Sequence, residues 1–190
     1  MSINNKKLQK EIVNMLKVDQ VIRKKQWKEY KTYTKELKQK KTTERQYKQK
    51  IKSLSKELFA IDKKHTKRME NIIKQFGWPN KNLVGKQGSR AAWLLIQHAD
   101  HDVAFQKKCL SLLKEAVNKG EAEKKNLAYL TDRVLVHENK KQIYGTQFQR
   151  NKKGIFVPFP IARLQELAKR RKAMDLEPFS VYIKKIEALE

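Results

Sequence analysis

Residues 77–102 read Gly-Trp-Pro-Asn-Lys-Asn-Leu-Val-Gly-Lys-Gln-Gly-Ser-Arg-Ala-Ala-Trp-Leu-Leu-Ile-Gln-His-Ala-Asp-His-Asp. Gly77 suits the left-handed position that closes a helix, and Trp78 before Pro79 forces the chain into an extended exit. Ser89 is placed to cap a new helix whose apolar run, Ala91 to Ile96, ends in Gln97, His98, Asp100, His101 and Asp102. An apolar helix that finishes in ionisable groups reads as one wall of a polar pocket. The fold therefore follows from what packs against this helix.

Upstream, Leu54, Leu58, Ile61, Met69, Ile72, Ile73 and Phe76 recur near the 3.6-residue period and predict a long helix ending at Gly77. Before it, from about 31 to 56, Lys, Gln, Thr, Glu and Tyr dominate without Gly or Pro, which suits a long solvated helix, a helical hairpin or a partly ordered arm. Residues 5–30 carry a further stripe at Leu8, Ile12, Met15, Leu16, Val18 and Ile22. Beside it, Asp19 and Gln20 lie four and three residues from Arg23, close enough on a helix to reach it.

Downstream, Asp100 or Asp102 can cap a helix over 103–118 with core face Phe105, Cys109, Leu112, Leu113 and Ala116, closed by Gly120. A helix over roughly 121–137 turns Leu127, Leu130 and Val134 inward and sets Tyr129, Asp132 and Arg133 along a neighbouring face. The runs 142–148 and 155–159 are rich in β-formers and flank a polar turn ending at Gly154. They predict one small β-hairpin at about 142–159, with Pro158 marking its second strand as an edge. Two terminal helices are expected, at about 162–174 and 178–189.

These elements make the chain mainly α, a single-domain helical bundle over residues 1–190 with one small β-hairpin. At 190 residues such a body would have a radius of gyration of about 16 Å. Only 39% of residues are hydrophobic and 34% are charged, so amphipathic helices facing one core use the apolar residues best. The net charge of +25 attracts polyanions, and the first 60 residues hold 18 Lys+Arg against 6 Asp+Glu. Nucleic acid is thus a candidate partner of the basic arm, with Trp27, Tyr30, Tyr33 and Tyr47 as stacking groups. Against it, lysine outnumbers the nine arginines about fourfold, and such a bias also follows from an AT-rich genome. The single cysteine, Cys109, excludes an intrachain disulfide and a Cys-based zinc knuckle and reads as a buried hydrophobe. No stretch approaches the ~20 apolar residues of a membrane span and no signal h-region is present, so a cytoplasmic protein without a membrane partner is expected.

The motifs in order are Asp19-Gln20-x-x-Arg23, Gly77-Trp78-Pro79, Ala92 to Asp100, Asn126 to Arg133, Tyr144 to Gln147, and Arg170-Arg171 with Leu176, Pro178 and Tyr182. On these residues the chain resembles a bacterial family of small helical proteins classed as a domain of unknown function. The likeness covers nearly everything except the lysine-rich arm. It implies a helical fold and a short set of polar residues, and no activity. The chain departs from the pattern in three places. Ala162, Arg163 and Leu164 stand where the family carries an acidic segment, and His101 and His137 lie outside it.

The polar set Asp19, Gln20, Arg23, Gln97, His98, Asp100, Asp132, Arg133, Tyr144 and Gln147 comes from four separated elements. Packed around one cleft, they would form a site, since buried polar groups cost stability unless paired. His98 is the natural acid/base, with Asp100 or Asp132 as its orienting carboxylate and Arg23 or Arg133 as a clamp for an anionic group. Asp19, Gln20, Gln97, Tyr144 and Gln147 would complete substrate binding. The spacing of His98, His101 and Asp102 could face one ion on a helix, but no His-Glu-x-x-His is present and no metal is expected. Neither a nucleophile elbow nor a Walker loop occurs, and no cofactor is identified. Three readings follow: a pocket enzyme of acid/base hydrolase or transferase type acting on a small polar or anionic ligand, a nucleic-acid-associated binding protein, and a structural or interaction domain whose polar set holds helices together.

Overall fold

A computed structural model describes residues 4–151 and 154–188. The chain is mainly α, with seven helices and one two-stranded antiparallel hairpin among the described residues. Its contacts divide it into two compact units, Met1–Ala99 and Asp100–Glu190.

The first unit is a long helical hairpin with a third helix on one end. Helix α1 (Lys6–Lys38) opens at Asn5, whose side chain accepts the Leu8 amide, and α2 (Glu44–Phe76) opens with a reciprocal Thr43/Gln46 capping box. The two run antiparallel, as the pairs Lys50–Glu36, Lys25–Glu57 and Arg68–Glu11 show. Gly77, at φ 69°, stops α2 as its sequence requires. Helix α3 (Lys81–Gln97) begins earlier than Ser89. Asn80 caps it through the Leu83 amide, and Ser89 lies buried inside it. Gly85, at φ 68° and ψ 171°, kinks the helix in a region that only glycine enters readily. The core gathers Leu8 and Ile12 of α1, Met69, Ile72 and Ile73 of α2, and Val84, Ala91, Ala92, Leu95 and Ile96 of α3. Between Asp19 and His65 no residue is buried, so the lysine-rich region is a two-helix arm that projects beyond this core.

The second unit pairs α4 (Val103–Asn118), capped by Asp102 at the Phe105 amide, with α5 (Lys124–His137). Its core includes Phe105, the buried free Cys109, Leu113, Ala128, Leu130 and Val134. The hairpin is smaller than the expected 142–159: β1 (Phe148–Arg150) pairs with β2 (Phe156–Pro158). Apart from an isolated bridge of Gln142 to Ile161, residues 142–147 form a loop instead of a strand, because the Ile143, Tyr144 and Thr146 amides donate to Asp132 and the Gln147 amide to the Gln142 side chain. A 3-10 turn at Leu164–Glu166 leads into α6 (Leu167–Ala173), followed by α7 (Phe179–Glu187).

Candidate functional site

In the first unit three helix segments converge on one cluster of charge. Asp19 and Arg23 stand one turn apart on α1, Asp62 and His65 stand three residues apart on α2, and His98 is the residue that ends α3. Asp19 is fully buried. Its Oδ2 accepts Gln20 Nε2 at 2.8 Å, and its Oδ1 accepts Arg23 Nε at 3.0 Å and lies 3.0 Å from His98 Nδ1. Arg23 Nη2 donates to Asp62 Oδ1 at 2.5 Å. Burial alone would raise the Asp19 carboxyl, but His98, Arg23 and Gln20 together outweigh it and hold the group down to about 2. At Asp62 burial wins over Arg23 and His98 and pushes the carboxyl above its ordinary value. Two carboxyl groups bound to one guanidinium are thus driven in opposite directions.

His98 Nδ1 lies 3.0 Å from an acceptor, Asp19 Oδ1, and 3.1 Å from a donor, Arg23 Nε. One proton cannot serve both contacts. A hydrogen bond to an ionised carboxylate is the stronger, so Nδ1 carries the proton toward Asp19, and Arg23 Nε–H also turns to Asp19. The neutral ring then keeps its lone pair on Nε2, and 17% of the His98 side chain is exposed.

Asp19, Asp62 and His98 each bring one potential ligand atom within 4.8 Å of the others. Arg23 bonds to both aspartates and its Nε lies 3.1 Å from His98 Nδ1, so its guanidinium is the cation that this donor set surrounds. Beside them His65 is 7% exposed, and its Nδ1 is buried without a partner among the described residues. Burial holds its pKa below the ordinary histidine value.

The remaining residues of the expected set lie in the second unit, except Gln97, which is buried at the end of α3. Asp132, buried on α5, is saturated by its own loop. Oδ1 accepts the Ile143 and Tyr144 amides at 2.7 and 3.0 Å, and Oδ2 accepts the Thr146 amide and hydroxyl, both at 2.9 Å. Tyr144 enters this network through its amide, not its phenol. Asp100 is bidentate to Arg133, with both bonds at 2.6 Å, and Arg133 also reaches Gln147 Oε1 at 3.3 Å. Burial works against the Asp100 charge, yet Arg133 and His137 hold that carboxyl below its ordinary value.

Two assignments made from sequence are corrected by these contacts. The carboxylate on His98 is Asp19, because Asp100 is committed to Arg133 and Asp132 to loop amides. Neither arginine is a free clamp for an anion, since Arg23 is bound to Asp19 and Asp62 and Arg133 to Asp100.

A family model described as a family of unknown function, DUF6624, matches residues 6–189. The chain belongs to the DUF6624 family. No curated protein and no solved structure matches it. In this DUF6624 chain Asp62 and His65 were not legible as site residues, because they sit among Lys63, Lys64 and Lys67 on a helix marked in the sequence by its apolar period. Their Asp-x-x-His spacing on a helix was the available signal. Arg171, named in the sequence only as part of the Arg170-Arg171 motif, is 1% exposed, donates to the carbonyls of Glu177 and Tyr144 and lies over the rings of Phe179 and Tyr182.

Proposed function

We propose that the chain is an acid/base catalyst, of hydrolase or transferase type, acting on a small polar substrate at His98. The observation that carries this reading is the Asp19–His98 contact at 3.0 Å from a fully buried carboxylate. A carboxylate so placed fixes the imidazole tautomer and stabilises the positive charge the ring acquires on taking a proton. Nε2 would take that proton from a water or a substrate hydroxyl and return it to the leaving group. The opposed shifts of Asp19 and Asp62 support the reading, because an ionised and a protonatable carboxyl side by side is the pattern of acid/base sites. With Arg23 and Arg133 neutralised by carboxylates, an uncharged polar substrate fits better than an anion. A cytoplasmic setting accompanies the proposal, in keeping with a lone, reduced, buried cysteine. No described helix is long and apolar enough to cross a membrane.

A thermal-shift screen of wild type and His98→Ala against sugars, nucleosides, amino acids and amides tests it. A ligand that raises the wild-type melting temperature, fails on the folded variant, and is turned over at least ~100-fold more slowly by that variant supports the proposal. Ligands that shift both proteins equally, with equal turnover, overturn it.

A further inference from the structure

We infer that the α1/α2 arm binds single-stranded nucleic acid on one face. From residue 20 to residue 64 the chain carries 16 Lys+Arg against five Asp+Glu and buries no residue. Eight of those 16 basic residues fall in two stripes. On α1, Lys24, Trp27, Lys31, Lys35 and Lys38 recur at three- and four-residue intervals and are exposed. On α2, Lys48, Lys52, Lys56, Phe59 and Lys63 do the same. Each stripe lies one residue, about 100° of helix rotation, past the seam where the helices meet. The seam runs through Arg23, Gln26 and Thr34 on α1, which bond to Asp62, Leu54 and Tyr47 on α2. Because the helices are antiparallel, equal rotations from a shared seam carry both stripes to the same side of the arm.

Each stripe contains one exposed aromatic with the lysine of the next turn over its ring. Trp27 is 44% exposed with Lys31 Nζ 4.9 Å from its centroid, and Phe59 is 48% exposed with Lys63 Nζ 4.9 Å away. Tyr30 stacks on Trp27 at 5.8 Å, 11° from parallel, and so stiffens that platform. Of the eight lysines Lys24, Lys31, Lys35, Lys38, Lys48, Lys52, Lys56 and Lys63, only Lys48 has a carboxylate partner among the described residues, Glu44 at 3.5 Å. Unpaired lysines retain counterions that a polyphosphate displaces. Exposed aromatic faces add stacking, which needs bases free of a duplex, and single strands offer that while double helices do not. Dispersed surface charge left by codon bias has no reason to fall on one face around two platforms.

Fluorescence anisotropy of the full chain with a labelled 20-nucleotide single strand and its duplex, from 50 to 300 mM salt, tests the inference. The single strand is expected to bind at least tenfold more tightly than the duplex, with affinity falling steeply as salt rises. Trp27→Ala is expected to weaken single-strand binding about tenfold and leave duplex binding unchanged. Replacing Lys24, Lys31 and Lys35 by Gln, all exposed, is expected to weaken both and flatten the salt dependence. Equal binding of strand and duplex with Trp27→Ala indistinguishable from wild type, or no binding at 150 mM salt, overturns it. The same proteins assayed at His98 would be unaffected, so this result and that of the catalytic reading are independent.

Discussion

Asp19 is the residue on which the first unit's charge cluster turns. Its carboxylate is fully buried and is kept ionised by His98, Arg23 and Gln20. Its folded pKa, about 2, lies below the ordinary 3.8, so it contributes stability above the ordinary value that is lost as pH falls from about 4 through about 2. That contribution is about 2 kcal/mol. Asp62 is shifted the other way by burial, so it favours the folded state at low pH and opposes the Asp19 effect. Acid unfolding of wild type and Asp62→Asn, followed by circular dichroism, should therefore show the acid loss more fully in the variant. Asp19→Asn should flatten it and, by leaving Arg23 and His98 poorly compensated, lower stability at pH 7 by about 3 kcal/mol. His98 and Asp19 were both legible in the sequence as ionisable groups beside apolar helices. Their partnership was not, because 79 residues separate them and only the packing of α3 against α1 brings them together.

At the scale of elements, the helices were read from period and caps and the irregular parts were misread. Gly77, Asp102 and the α4 and α5 apolar faces fall where spacing put them. Ser89 failed as a cap because Asn80 starts the helix at Lys81, eight residues earlier, and helix has already resumed after the Gly85 kink before Ser89 is reached. The run 142–147 has strand composition, yet a buried carboxylate offers its amides better partners than a strand would. No local pattern announces a carboxylate ten residues upstream as the organiser of a loop. Asp132→Asn tests this role: the amide group would turn hydrogens toward donors, and the loss of two or more bonds should lower stability by about 3 kcal/mol. Calorimetry should register that loss, together with faster hydrogen exchange at the Ile143, Tyr144 and Thr146 amides. Unchanged protection there would remove Asp132 from its place as the loop's anchor.

At the scale of the whole molecule, the two units treat their charges differently. The first concentrates an Asp–Arg–Asp–His cluster where the core of α1 and α2 ends and the basic arm begins. The second spreads its polar groups into a loop anchor and a half-exposed Asp100–Arg133 pair. The net charge of +25 was plain in the composition, whereas the placement of eight lysines on one face of a hairpin required knowing the seam between α1 and α2. The proposed catalysis at His98 rests on the ring keeping its proton on Nδ1, toward Asp19. With only four histidines in the chain, ¹⁵N NMR of labelled protein resolves the tautomer of each. The neutral His98 ring is expected to be protonated at Nδ1 and bare at Nε2, with that preference lost in Asp19→Asn. A ring protonated at Nε2, with Nδ1 accepting from Arg23 and no change in Asp19→Asn, would contradict the account.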